Sequence, residues 1–282
     1  MALYKNGINR TQKAGSGWYE MLRRLGKKTN LLPKLLPLFP ENITTFIDMF
    51  MGSGAVTFAM IDRAKYIISN DKDEDVFNLF MVLKEHKEAL EEAIRMMPVH
   101  DKLFQYWKEQ EENDCVWKAT RFLFLSNFSF LGRSDTLNLG QNNSKRILID
   151  KIKDAFDLIS FVQFVNDDFR DILKRIAFRH ELDLNRAFIY ADPPYIGTSN
   201  NYAEGFTEDD TRDLFSILTG SGIRFAVSEF NNPLVIDMAE EHGLFVTELG
   251  ERCNLKNRRA EILITNYDPV RRQISLFDLE MN

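Results

Sequence analysis

The stretch Thr44-Thr45-Phe46-Ile47-Asp48-Met49-Phe50-Met51-Gly52-Ser53-Gly54 decides the fold. Its first seven residues read as a buried strand, and Gly52-Ser53-Gly54 breaks that strand just before the apolar run 55–61. Strand, glycine turn and helix make a βα unit, and glycines at such a turn let a ligand approach the backbone. Tyr66-Ile67-Ile68-Ser69-Asn70 reads as a second strand that ends in Asp71. A βαβ opening predicts a parallel sheet. Asp71 follows Gly54 by seventeen positions, where an acid in a Rossmann-type fold accepts hydrogen bonds from both hydroxyls of a ribose. The turn lacks the third glycine of a dinucleotide fingerprint, so an adenosyl group without a pyrophosphate suits it better.

Beyond this unit the pattern changes. From Glu74 to about Ser160 it is that of long amphipathic helices, with Val76, Phe80, Leu83, Leu90 and Ile94 near helical spacing. A polar loop rich in turn formers, Gly132-Arg133-Ser134-Asp135 through Ser144, interrupts it. Strand-like runs return at 161–165, 187–191, 223–228, 244–249 and 260–266. Helix starts lie between them: Thr207 precedes three acids, and Asn232 precedes Pro233 at a first helical position. The predicted organisation is a catalytic α/β domain in two parts, 1–73 and 161–270, around a helical target-recognition insert at 74–160, with a tail at 271–282.

A chain of 282 residues, 44% hydrophobic and 28% charged, accommodates one such domain and an insert. No window is apolar for long enough to span a membrane, the N-terminus lacks a secretory pattern, and Cys115 and Cys253 cannot build a disulfide framework. A cytoplasmic setting is therefore expected. The net charge of −6 hides an uneven spread. The first forty residues hold eight basic side chains, among them Arg24 and Lys28, against the single acid Glu20. Arg133, Lys145, Arg146, Lys151 and Lys153 form a second basic group, whereas acids concentrate between Glu85 and Asp114. His86, His100, His180 and His242 are scattered, so no metal site is expected.

The sharpest chemical signal is Ile189-Tyr190-Ala191-Asp192-Pro193-Pro194-Tyr195. A strand runs into two prolines whose fixed φ holds the Asp192 side chain and a neighbouring carbonyl toward one pocket. Both are acceptors. An aromatic amine is a poor nucleophile because its lone pair is delocalised into the ring. Two acceptors on its hydrogens favour the tetrahedral, nucleophilic form and stabilise the positive charge growing on nitrogen. Tyr195 can stack on the base and add cation–π stabilisation. Asp192, Pro193, Pro194 and Tyr195 are the expected catalytic residues.

These motifs resemble the Dam-type adenine-specific DNA methyltransferases, in the group whose glycine motif precedes Asp-Pro-Pro-Tyr with the target-recognition region between them. The resemblance spans about residues 22–268 and implies a Rossmann-like S-adenosylmethionine-dependent methyltransferase sheet with an antiparallel final strand at 258–267. The segment 22–28 resembles the family's N-terminal Lys-Trp-Ala-Gly-Gly-Lys element. This implies cofactor binding by Lys28 at the carboxylate, with Arg24 where the family has an aromatic residue. Asp48-Met49-Phe50-Met51-Gly52-Ser53-Gly54 matches acid-Pro-Phe-x-Gly-x-Gly with Met49 for proline, so Asp48, Phe50, Gly52 and Gly54 are implied cofactor residues. Asp71 corresponds to the ribose acid, Asp168 and Phe169 to the element beside the cofactor adenine, and Asp192 to the methyl end of the site.

By the same resemblance, Asn127, Arg133, Asn142, Lys145 and Arg146 fall where the family reads double-stranded DNA, and their residue types suit base edges and phosphates. A base inside a duplex cannot reach the cleft, so base flipping is implied, with Asn200 and Tyr202 on a loop placed to close over the extruded adenine. Methylation of the cytosine exocyclic amine, of RNA or of a glutamine amide shares this chemistry, and a DNA-binding regulator without turnover is the non-enzymatic alternative. In the tail, Gln273-Ile274-Ser275-Leu276-Phe277 is similar to the peptides that dock on the bacterial sliding clamp, with Gln273, Leu276 and Phe277 as contacts. The competing expectation is that Ile274, Leu276 and Phe277 fold back over the sheet edge.

Overall fold

A computed structural model describes residues 28–129, 136–137, 145–195, 205–253 and 258–269. Its strands are β1 Thr45–Asp48, β2 Tyr66–Asn70, β3 Val162–Val165, β4 Ala187–Ala191, β5 Arg224–Phe230, β6 Phe245–Cys253 and β7 Arg258–Thr265. They follow the order β3-β2-β1-β4-β5-β7-β6. β1 pairs in parallel with β2 and β4, and β4 with β5, whereas β7 lies antiparallel between β5 and β6. This is a doubly wound, Rossmann-like α/β sheet in which the strand order reverses at β1, the switch point beside which such folds bind ligands. Parallel central strands are covered on both faces, and β1 and β4 are buried at every position.

The helices are α1 Leu32–Leu35, α2 Ala55–Ala59, α3 Glu74–Glu85, α4 Lys87–Met96, α5 Asp101–Glu109, α6 Cys115–Phe128, α7 Lys145–Ile159, α8 Phe169–Ile172, α9 Glu181–Asn185, α10 Glu208–Gly220 and α11 Pro233–Glu241. Their starts follow local chemistry. Asp73 and Asp114 each accept two backbone N–H groups at the head of α3 and α6. Thr207 and Asp210 close a reciprocal capping box at α10, and Asn232 caps α11 ahead of Pro233. The four histidines also occupy helix ends: His86 between α3 and α4, His100 before α5, His180 before α9 and His242 after α11. Among the described residues no helix is long and apolar enough to cross a membrane.

The chain divides into two compact units. One gathers Gly52–Asp62 and Asp71–Asn166, hence α2 to α7 and β3. Its core is aromatic: Phe80 lies against Phe58 (5.8 Å between ring centroids) and stacks on Phe164 (5.2 Å), while Phe124 contacts both Trp107 and Phe128 at 5.2 Å. The other gathers Leu31–Met51, Arg63–Asn70 and the chain from Asp167 onward. There Phe39 packs on Phe188 (4.9 Å) and Tyr190 (5.4 Å).

The glycine turn is built as its sequence requires. Gly52 and Gly54 have φ of +53° and +75°, in the left-handed region that costs an L-residue roughly 1–2 kcal/mol. A Cβ at Gly54 would stand 2.6 Å from a ring carbon of the buried Phe58, whereas one at Gly52 would meet nothing within 4 Å. Gly54→Ala should therefore incur the backbone strain and a further ~1–3 kcal/mol of overpacking. Urea denaturation should show a lower midpoint for Gly54→Ala than for Gly52→Ala, and equal midpoints would mean that Phe58 yields freely.

Candidate active site

The carboxyl ends of β1 and β2 are tied by one buried amide to Asp167, just ahead of α8. Asn70, 1% exposed, donates from Nδ2 to the carbonyls of Met49 (3.1 Å) and Asp167 (3.0 Å) and accepts the Asp167 N–H at 2.9 Å. Met51 N–H bonds the Asn70 carbonyl at 2.8 Å and Met49 N–H the Tyr190 carbonyl at 2.9 Å. The expected strand 44–50 thus ends at Asp48, with its last residues still hydrogen-bonded as the chain bends toward the glycines. Asp48 itself is 1% exposed, beside Ser69 and Tyr190 in the ladders.

Asp71 follows Asn70 directly and is buried. Its Oδ2 accepts the Gly52 N–H at 2.7 Å and its Oδ1 the Asp73 N–H at 2.9 Å, so backbone donors on both oxygens fix the plane of the carboxylate. An ionised carboxylate accepts about four hydrogen bonds. A carboxylate acceptor beside the open space at Gly52 fits the two donating hydroxyls of a ribose. Asn166 donates to the Asp71 carbonyl at 2.7 Å, which holds the same residue from its backbone side.

Asp192 and Tyr195 follow the last residue of β4 and are half-buried, with Pro193 buried between them. Tyr195 donates its hydroxyl to Oε1 of Glu261 at 2.7 Å, and its ring meets Phe230 edge-on, 4.3 Å between centroids at 61°. Phe230 and Glu261 face each other in the β5–β7 ladder. Below them the Tyr190 hydroxyl pairs with Ser228 Oγ at 2.8 Å. Burial first, and then the negative charges of Asp192 and Glu261, push the Tyr195 phenol well above its ordinary pKa. Burial, Asp192, Asp48 and Glu261 do the same for Tyr190 against the opposing Ser228 bond. Both phenols are therefore neutral, in a field of carboxylates suited to a substrate atom that becomes positive.

Asp168 caps α8 through its Oδ1, which accepts the Arg170 N–H at 3.1 Å and lies 3.2 Å from the Arg170 guanidinium. Arg170 also reaches Asp210 (2.5 Å) and Asp213 (2.7 Å), which join α8 to α10 and raise its own pKa. Phe169 is buried, with Arg170 over its ring at 4.4 Å. It forms a triangle with Phe50 and Phe206, with centroid separations of 5.6, 5.9 and 5.7 Å. Asn70, Arg170, Phe206 and Glu261 had no role in the sequence reading. Glu261 carried a signal, since it is an acid placed directly before the apolar run 262–264 of β7.

Of the remaining expected site residues, Lys28 is buried. Asn127 is buried on α6, and its amide donates to the Leu123 carbonyl at 3.0 Å. Lys145 and Arg146 open α7: Lys145 donates to the Arg95 carbonyl at 2.8 Å, and Arg146 is exposed. Arg24, Arg133, Asn142, Asn200, Tyr202, Gln273, Leu276 and Phe277 lie outside the described residues.

Residues 25–249 match the family model of the D12 class N6 adenine-specific DNA methyltransferases. The chain belongs to this family. Among curated relatives it is similar to the Type II methyltransferase M1.LlaDCHI of Lactococcus lactis subsp. cremoris, 26% identical over 272 residues that cover 86% of this chain and 93% of that protein. It is 25% identical over 283 residues to modification methylase StsI of Streptococcus sanguinis, covering 88% of this chain and 42% of the relative. With the Type II methyltransferase M.FokI of Planomicrobium okeanokoites the identity is 26% over 289 residues, covering 87% and 42%. The chain thus spans less than half the length of StsI and M.FokI but nearly the whole of M1.LlaDCHI. In this D12 class chain the matched segment runs from the edge of the described residues through the glycine turn, Asp71 and Asp192 to Tyr195, and ends within β6.

Proposed function

We propose that this chain transfers a methyl group from S-adenosylmethionine to the exocyclic amine of an adenine flipped out of double-stranded DNA. The observation that carries the reading is the Asp192–Tyr195 motif, set after β4 with a second neutral phenol, Tyr190, and two further carboxylates, Asp48 and Glu261, in a chain of the D12 class. The cofactor, when bound, supplies an electrophilic methyl group on a sulfonium.

Asp192 and a nearby backbone carbonyl would accept the two amine hydrogens and so free the nitrogen lone pair for the methyl group that the cofactor would supply. The nitrogen then carries positive charge and sheds one proton toward Asp192 or water. Tyr195 faces the base, and Asp71 takes the ribose hydroxyls. Asp48, Phe50, Gly52, Gly54, Asp168 and Phe169 line the rest of the cofactor, with Lys28 and Arg24 toward its carboxylate. Arg146, exposed at the head of α7, meets a phosphate. Lys145 would do so only on leaving the Arg95 carbonyl, and Asn127 would reach a base only by giving up its bond within α6. Arg133, Asn142, Asn200 and Tyr202 complete the DNA contacts in this reading, which puts the work of the protein in the cytoplasm with the DNA.

The test is incubation of duplex DNA with methyl-labelled cofactor, followed by nucleoside mass spectrometry. N6-methyladenine is expected. Label in N4-methylcytosine or in RNA alone would overturn the substrate, and no transfer at all would overturn the activity. Docking on a sliding clamp through Gln273, Leu276 and Phe277 belongs to the same proposal and rests on the sequence of the tail alone. Truncation after Arg272 should abolish co-purification with a clamp and leave methylation of short DNA intact.

A further inference from the structure

We infer that Glu261 is a positioning residue for methyl transfer, acting through Tyr195, and this rests on the activity proposed above. Tyr195 is gripped at both ends. Its hydroxyl donates to Glu261 Oε1 at 2.7 Å, and its ring lies edge-on against Phe230 at 4.3 Å. The two anchors face each other across β5 and β7, so they move as one unit with the sheet. Glu261 is fully buried, a setting in which a carboxylate is costly unless it is paired, and the Tyr195 hydroxyl supplies a hydrogen bond to its Oε1.

A phenol ring that follows two prolines still has two free side-chain torsions. The hydrogen bond at one end and the edge contact at the other fix both torsions before any base arrives. A target base entering beside Tyr195 therefore meets a ring already in its stacking orientation, and the ordering cost does not fall on the transfer step. The partnership needs a strand 66 residues further along the chain, which is why the motif itself gives no hint of it.

The experiment measures single-turnover transfer, cofactor affinity and the fluorescence of 2-aminopurine at the target position, in a DNA that the wild-type protein methylates. Glu261→Ala should slow transfer about tenfold with the cofactor dissociation constant unchanged, and should leave an extruded 2-aminopurine brighter because it no longer stacks on an ordered ring. Glu261→Gln keeps an acceptor for the hydroxyl and should restore the rate to within about threefold. Tyr195→Phe removes the hydroxyl alone and should reproduce the loss, and adding Glu261→Ala to it should cost nothing more. If the Ala variant does not fold, the Gln and Phe variants still decide: Gln as slow as Phe, or Phe as fast as wild type, overturns the inference. An active wild type with additive losses in the double variant also overturns the inference alone. A wild type that moves no label overturns the proposed activity, and the inference with it.

Discussion

Asp192→Ala is expected to lower the single-turnover rate of methyl transfer by about 10²–10³-fold, the loss typical when one preorganised hydrogen-bonding group is removed from a transition state. The reason lies in the amine: without an acceptor its lone pair stays in the aromatic ring, and the charge that grows on nitrogen has lost its nearest compensation. The fold should survive, because Asp192 is half-buried and lies just past the end of β4 rather than within it. Rapid-quench assays with labelled cofactor would measure the rate, and a thermal melt would check the fold. A variant that keeps its rate within tenfold would remove Asp192 from the chemistry.

The second large effect falls on cofactor affinity. Asp71→Ala should weaken binding by about 10–150-fold, corresponding to roughly 1.5–3 kcal/mol for hydrogen bonds to a charged acceptor. The same change leaves the Gly52 and Asp73 N–H groups without the carboxylate that orders them, so part of the loss comes from the turn itself. Asp71→Asn separates the two contributions, since an amide oxygen can still take one backbone donor but presents no charge to a diol. Calorimetric titration with the cofactor reads both variants. DNA affinity should hold throughout, and an unchanged cofactor dissociation constant in Asp71→Ala would place the ribose elsewhere.

What was legible in the sequence was local. β2 and β4 fall on the predicted runs 66–70 and 187–191 because apolar stretches bounded by polar turns carry their own limits. The two glycines form the turn after β1 that their spacing suggested, both at positive φ, and the caps at Thr207 and Asn232 form where the residue types asked for them. β5, β6 and β7 differ from their predicted ends by a few residues, because strand ends are set by neighbours in the sheet and not by the strand alone.

What escaped the sequence depended on distance along the chain. Asn70 reads as the last polar residue of a strand, yet its amide joins Met49 to Asp167, which is 97 residues away. Nothing in the sequence around Arg170 marks its partners, and only the fold brings Asp210 and Asp213 to it. Glu261 lies within the final strand expected at 258–267, but its partner Tyr195 could not be inferred without knowing that β7 enters beside β5.

That insertion of β7 also sets a clock. During synthesis β6 emerges before the strand that will separate it from β5, and Glu261 follows Tyr195 by 66 residues. At about 5–20 residues per second, ribosomes make that interval in about 3–13 s. For that time a nascent chain already holds the glycine turn and the Asp-Pro-Pro-Tyr segment, while the tyrosine has no carboxylate to orient it. The contact between Tyr195 and Glu261 can thus form only once β7 has closed between β5 and β6.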